Sequence, residues 1–201
     1  MQKIALIGAP SSGKTVLAHQ LVGALSEQQV EVVDNYIEEI ENRSDNTLGH
    51  FASYLGNVQA AIGRWEFERL ALAKKPDVLV TCGSIVESTV YNAIQALIQH
   101  RSEDGALTLR ELQNDRRASV SMTFMGIMRH DAFEYDHVFY LPLSEERKDE
   151  DDVKWEAAVD DHIPEAAEAL GVQYIALPED PDERLAKVLE TVLVSEATTS
   201  E

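Results

Sequence analysis

The chain has 201 residues, 44% of them hydrophobic, which is enough to bury one core and predicts a single domain over 1–194. Its 36 acidic residues against 17 basic ones give a formal net charge of −19, a balance that repels nucleic-acid backbones and argues against any broad nucleic-acid surface. The longest apolar stretch, Ser119–Met128, has about ten residues, far short of a membrane span, and one cysteine, Cys82, excludes internal disulfides and fits a reducing cytoplasm.

Met1 leads directly into the first apolar run, so no leader peptide is expected. That run, Lys3–Gly8, reads as a strand, and it feeds straight into Gly8-Ala9-Pro10-Ser11-Ser12-Gly13-Lys14-Thr15 and a helical pattern over about 14–28. Strand, Gly-x-x-x-x-Gly-Lys-Thr and helix in that order make a phosphate-binding loop. The two glycines let the main chain wrap a polyphosphate, the loop N–H groups face its oxygens, and the following helix adds its positive end. Lys14 is placed to reach the β- and γ-phosphates, and the Thr15 hydroxyl to ligate magnesium. Gly8 to Val16 therefore form the expected triphosphate-binding segment.

Further strands are predicted at Val30–Asp34, Asp77–Cys82, Asp136–Leu141 and Val172–Leu177, with helices at about 47–74, 85–101, 107–131, 155–170 and 181–194. Runs such as Val78-Leu79-Val80 lack polar alternation, as parallel strands covered on both faces do. The expected fold is α/β: a three-layer P-loop NTPase fold, nucleotide-kinase-like, with a five-stranded parallel sheet and helices on both faces. Gly171 reads as a helix stop, and 195–201 as a polar, frayed tail.

Several residues at the expected strand ends carry candidate chemistry. Asp34 closes strand two, where it can accept a proton from an acceptor hydroxyl or enter the magnesium shell; it can also cap the helix that begins at Tyr36. Strand three ends Thr81-Cys82-Gly83-Ser84 with no carboxylate until Glu87, so no residue there is assigned to the metal, and Cys82 reads as a small buried hydrophobe. Arg64, on the long helix, is the candidate planar donor for an acceptor, with Tyr36 and Glu87 nearby in the same role. After strand four, residues 144–154 are almost wholly charged. They read either as a solvated loop or as a lid (about 143–155) that brings Arg147, Lys148 or Lys154 onto the transferring phosphoryl group.

This order of parts, with Gly83-Ser84-x-x-Glu87-x-x-x-Tyr91 after strand three and Tyr135–Leu143 leading to the charged segment, resembles the nucleoside and nucleotide kinases. Within them it is most similar to nicotinamide-riboside-kinase-like AAA-type P-loop proteins, a group often encoded by phages. The likeness covers nearly the whole chain in layout, but only Gly8–Thr15 is a specific motif. Asp152-Val153-Lys154 stands where that family has Gly-Val-Arg, Asp34 matches its strand-two Glu approximately, Ile37 replaces an Arg, and the acid ending strand three is missing. The resemblance implies adenine packing near Pro178–Arg184, with Arg184 as a stacking partner.

The resulting expectation is an ATP- and Mg2+-dependent phosphotransferase whose small acceptor is a nucleoside or nucleoside monophosphate. Lys14, Asp34, Arg147 and Lys154 would be its catalytic groups, and Thr15 and Asp34 its metal ligands. An ATPase without a small acceptor, acting as a homo-oligomer, and a nucleotide-binding module without turnover are the alternatives.

Overall fold

In the computed structural model, which describes residues 1–34, 54–91, 134–148 and 154–199, five parallel strands form one sheet in the order β2-β3-β1-β4-β5. The strands are β1 (Gln2–Ile7), β2 (Val30–Val33), β3 (Val78–Cys82), β4 (His137–Tyr140) and β5 (Ile175–Ala176). Around them lie α1 (Lys14–Ala24), α2 (Tyr54–Ala73), α3 (helical over 85–91), α4 (Glu145–Lys148), α5 (Lys154–Ala169) and α6 (Pro181–Thr199). Tyr36, the helix expected over 107–131 and residues 149–153 of the charged segment lie outside the described residues. No described helix is long and apolar enough to cross a membrane.

Period-two alternation sorts the buried side chains onto two faces. Ile4, Leu6, Val78, Val80, Cys82, Phe139 and Leu141 pack with Leu17 and Leu21 of α1 and Val188 and Val192 of α6. On the opposite face Ala5, Ile7, Val138 and Tyr140 meet Val86 and Val90 of α3 and Val159, Ile163 and Ala166 of α5. There Val33 and Leu79 also meet Ala71 of α2, with Phe67 and Leu72 beside them. Three layers result, as the apolar runs predict. β1 sits between β3 and β4, in register Ile4↔Val80 and Ile4↔His137, so its carboxyl end opens in the middle of the sheet. In such sheets ligands bind at that edge.

Helix ends follow local chemistry. Gly171 stops α5 in the left-handed region (φ 63°), with Val172 N donating to the Ala167 carbonyl and Gly171 N to that of Glu168. α6 opens on Asp180, whose Oδ1 accepts from the N–H groups of Asp182 and Glu183, and Pro181 takes the first helical position. This cap sets Arg184 in the first turn, facing the loop after β1. β5 is shorter than the run Val172–Leu177 suggests, because only Ile175 and Ala176 find ladder partners on β4. α6 runs to Thr199, beyond the residue-194 boundary drawn from the sequence.

Pro164 lies inside α5 and lacks the N–H that would bond the carbonyl four residues back, that of Asp160. The Tyr140 hydroxyl donates to that freed carbonyl at 3.3 Å, docking this turn of the helix on the end of β4.

Phe139 is fully buried at the centre of the α1/α6 face. Phe139→Ala is expected to cost about 3–5 kcal/mol of stability, measured as a lower urea midpoint at unchanged m-value.

Candidate nucleotide-binding site

The loop between β1 and α1 has the conformation that its glycines predict. Gly13 adopts φ 95° and Ser11 φ 63°, both left-handed, and Ser12 N donates to the Ala9 carbonyl at 3.3 Å. Gly8 has no room for a side chain: a Cβ there would stand 2.5 Å from Ser12 Oγ and 2.6 Å from the Leu141 carbonyl oxygen. No side chain caps α1 and its first turn holds no acidic residue, so its leading N–H groups remain available to an anion. The Ser12 hydroxyl is buried inside the loop with no hydrogen-bond partner among the described residues.

Lys14 folds back over the loop and donates to the carbonyls of Gly8 and Ala9, each at 2.7 Å. Burial lowers its pKa, opposed foremost by the negative charge of Glu87. The ammonium group is thus held inside the curve that a polyphosphate would fill, on weak neutral acceptors that anionic oxygens can displace.

Two charged side chains hold this loop from outside. Glu87 is 3% exposed. One of its oxygens accepts from Gly8 N at 3.1 Å; the other accepts from Ser84 N at 2.7 Å and Ser84 Oγ at 3.1 Å. Ser84 Oγ in turn accepts from Val86 N. Ser84-x-x-Glu87 is therefore a capping box for α3 with a third arm on the phosphate loop. Where the sequence reading placed Glu87 on the acceptor, the structure shows its carboxylate accepting from these three donors.

Arg184 supplies the second hold. Its Nη1 donates to the Ser12 carbonyl at 2.7 Å, Nε to that of Pro178 at 2.6 Å and Nη2 to that of Pro142 at 3.0 Å. One guanidinium thus ties the loop after β1 to the loops after β4 and β5. Where the resemblance implies a stacking partner for adenine, the structure places a tether for the main chain of the phosphate loop.

At the other side of the loop, Asp34 follows directly on β2, and its Oδ2 lies 3.2 Å from His19 Nε2 on α1. Cys82 ends β3 close by. Burial and the charge of Asp34 push its thiol up to about 12, with Lys14 and the neighbouring Thr15 hydroxyl working the other way. The sulfur stays protonated at neutral pH, and a soft thiol is a poor match for magnesium. What remains is the hydroxyl of Thr15 and the carboxylate of Asp34, hard oxygens that suit magnesium when phosphate oxygens complete its shell. Among the described residues no group of three or more His, Cys, Asp or Glu could hold an ion alone.

The remaining candidates are placed differently. Arg64 is completely buried, with Nε 3.9 Å from Glu68 Oε1, rather than lining an open acceptor pocket. A buried guanidinium requires a compensating charge, and the next turn of α2 provides it. Tyr135 donates to the same Glu68 oxygen at 2.6 Å, and burial raises the Glu68 pKa against the pull of Arg64. Lys148, one of the three lid cations, is also committed. Its Nζ lies 3.1 Å from the buried Asp160 and 3.0 Å from Asp161. Burial works against its charge, yet these two acids hold its pKa above the ordinary value. Asp160 Oδ2 additionally accepts from Leu143 N. Arg147 is half-buried on α4 at the strand-end side of the sheet, Lys154 opens α5, and Val16 is 62% exposed beside Thr15. His19 and Asp160 carry no sequence signal of their own; the Ser-x-x-Glu spacing does announce Glu87.

The AAA domain family profile matches residues 3–184. The chain belongs to this AAA domain family. No characterised protein matches it by sequence. Among solved structures it is similar to NadR protein in complex with NR (TM-score 0.64, 11% identity), covering 88% of this chain and 43% of that one. It thus spans less than half the length of NadR. It is also similar to thymidylate kinase from Ehrlichia chaffeensis (TM-score 0.59, 16% identity, 95% and 98% of the two chains). A third similar structure is deoxyadenosine kinase from M. mycoides with products dCMP and dCDP bound (TM-score 0.57, 11% identity, 96% and 100%). The fold is that of the P-loop nucleoside and nucleotide kinases.

Removing either hold should be visible. Glu87→Ala is expected to lower stability by about 1–3 kcal/mol for each N–H it orphans, with Glu87→Gln losing less. Urea unfolding separates this from a role in acceptor binding, which would leave the midpoint unmoved. Arg184→Met is expected to weaken Mg·ATP binding about tenfold or more, the worth of one charged hydrogen bond, read by calorimetry.

Proposed function

We propose that this protein is an ATP-dependent phosphotransferase acting on a small acceptor, a nucleoside or nucleoside monophosphate, with magnesium. The observation that carries this reading is the pairing, at one end of the sheet, of a phosphate loop whose lysine already points into its curve with a carboxylate at the end of β2. A loop alone would serve any nucleotide-binding protein; the acid beside it gives an acceptor somewhere to leave its proton. The fold shared with thymidylate and deoxyadenosine kinases supports the same class of reaction.

In this reading the loop amides and Lys14 stabilise charge on the β- and γ-phosphate oxygens, and Thr15 and Asp34 would hold a magnesium ion, which would neutralise phosphate charge. Asp34 orients the acceptor hydroxyl and takes its proton as the acceptor oxygen bonds to the γ-phosphorus and the bond to the β–γ bridging oxygen breaks. Arg147 and Lys154 are the lid cations proposed for the transferring group; Lys148 is held by Asp160 and Asp161. Little covalent work falls to the protein, and the rate comes from positioning and electrostatics.

Cys82 at the end of β3 favours a second reading, nucleotide binding without turnover, because a neutral thiol stands where related proteins carry an acid. Transfer of labelled γ-phosphate across nucleosides, deoxynucleosides and their monophosphates distinguishes the two, with a no-acceptor control for bare hydrolysis. Lys14→Ala is expected to abolish transfer, and Asp34→Asn to keep ATP binding at saturating magnesium while losing turnover. Full activity in Asp34→Asn would remove that carboxylate from the mechanism.

A further inference from the structure

We propose that His19 is a positioning residue for Asp34, holding one carboxylate oxygen so that the other faces the phosphate loop. The assignment rests on the reading of Asp34 as an acid of the phosphotransfer site. His19 lies one helical turn beyond Thr15, at i+4, so both side chains leave α1 on the same face. Four residues of helix separate them by about 6 Å along the axis. That offset takes the imidazole away from the phosphates and brings Nε2 to 3.2 Å from Asp34 Oδ2.

The contact answers a problem set by the chain's path. Asp34 comes immediately after the last paired residue of β2, Val33, so the ladder fixes its backbone on one side only. Its side chain is 20% exposed and turns about two single bonds. A carboxylate in that setting samples several orientations, and only some aim an oxygen at the site. The contact of Nε2 with Oδ2 selects among them and leaves Oδ1 for the metal shell or the acceptor proton. His19 is 64% exposed, so its own removal should leave the core intact. Nitrogen partners of this kind commonly set the orientation of acids that bind metals.

The test is a double-mutant cycle read by calorimetry of ATP binding over a magnesium titration. His19→Ala is expected to raise the magnesium concentration for half-saturation about tenfold and to leave binding of metal-free ATP unchanged. His19→Gln, which keeps an N–H donor at similar reach, should stay within about threefold of the unmodified protein. In an Asp34→Asn background, His19→Ala should add no further loss, because the two residues act as one unit. In turnover, the same variant should lower kcat at constant KM for ATP. The assignment is overturned if His19→Ala matches the unmodified protein, if its effect is as large in the Asp34→Asn background, or if glutamine fails to rescue while the urea midpoint is unchanged. An unmodified protein that binds Mg·ATP and phosphorylates no acceptor overturns the phosphotransferase reading alone, and the binding cycle still decides His19. One that binds no Mg·ATP overturns both.

Discussion

Gly8 is where the site is decided, because its main chain must pass through a space with no room for one more carbon. Ser12 on one side and the Leu141 carbonyl on the other close around it, Glu87 takes its N–H, and Lys14 takes its carbonyl. A loop that must meet a polyphosphate with its own amides cannot reorganise on each encounter without losing much of the binding energy. Here the order is built in beforehand: the floor is a strand in the middle of the sheet, and the walls are pinned by a buried acid on one flank and a guanidinium on the other.

Those two flanking groups draw the distant parts of the chain together. Glu87 lies in the first turn of the helix that follows β3, so the loop after β1 is keyed to the neighbouring strand end. Arg184 reaches across from the C-terminal helix to Ser12, and in the same fork holds Pro142 after β4 and Pro178 after β5. Three crossovers thus converge on one cation. In a chain of net charge −19, the few basic groups near the site have specific assignments: Lys14 inside the loop, Arg184 beneath it, Lys148 on the acids of α5.

What was legible in the sequence was what repeats or what leaves no alternative. Parallel strands buried on both faces appear as unbroken apolar runs, and β1, β3 and β4 lie where those runs stand. The phosphate loop was legible because left-handed and crowded backbone positions demand glycine. Gly171 was legible for the same reason. Long-range polar contacts were not. Arg184 and Ser12 are 172 positions apart, and nothing near either one announces the other. Arg64 was expected to face an acceptor and Asp160 had no signal at all, because nothing local marks a charged helix residue as buried; both are buried beside opposite charges, Glu68 and Lys148. Glu87 was an intermediate case: the spacing to Ser84 signals a helix cap, while the bond to Gly8 depends on tertiary contact. The separation between β2 and α1, which brings His19 to Asp34, likewise exists only once the sheet is assembled.

The proline inside α5 has a mechanical consequence. At Pro164 the helix is joined across its missing hydrogen bond by a phenol that belongs to the sheet, not to the helix. The half before Pro164 carries Asp160 and Asp161, which grip the charged stem at Lys148; the half after it carries Ala166 and Ala167, packed on the strands. The Tyr140 hydroxyl and the buried Val159 and Ile163 hold that first half on the sheet as well. The grip on the charged stem is thereby anchored directly in the apolar interior, with the phenol replacing the one bond that the imino ring gives up.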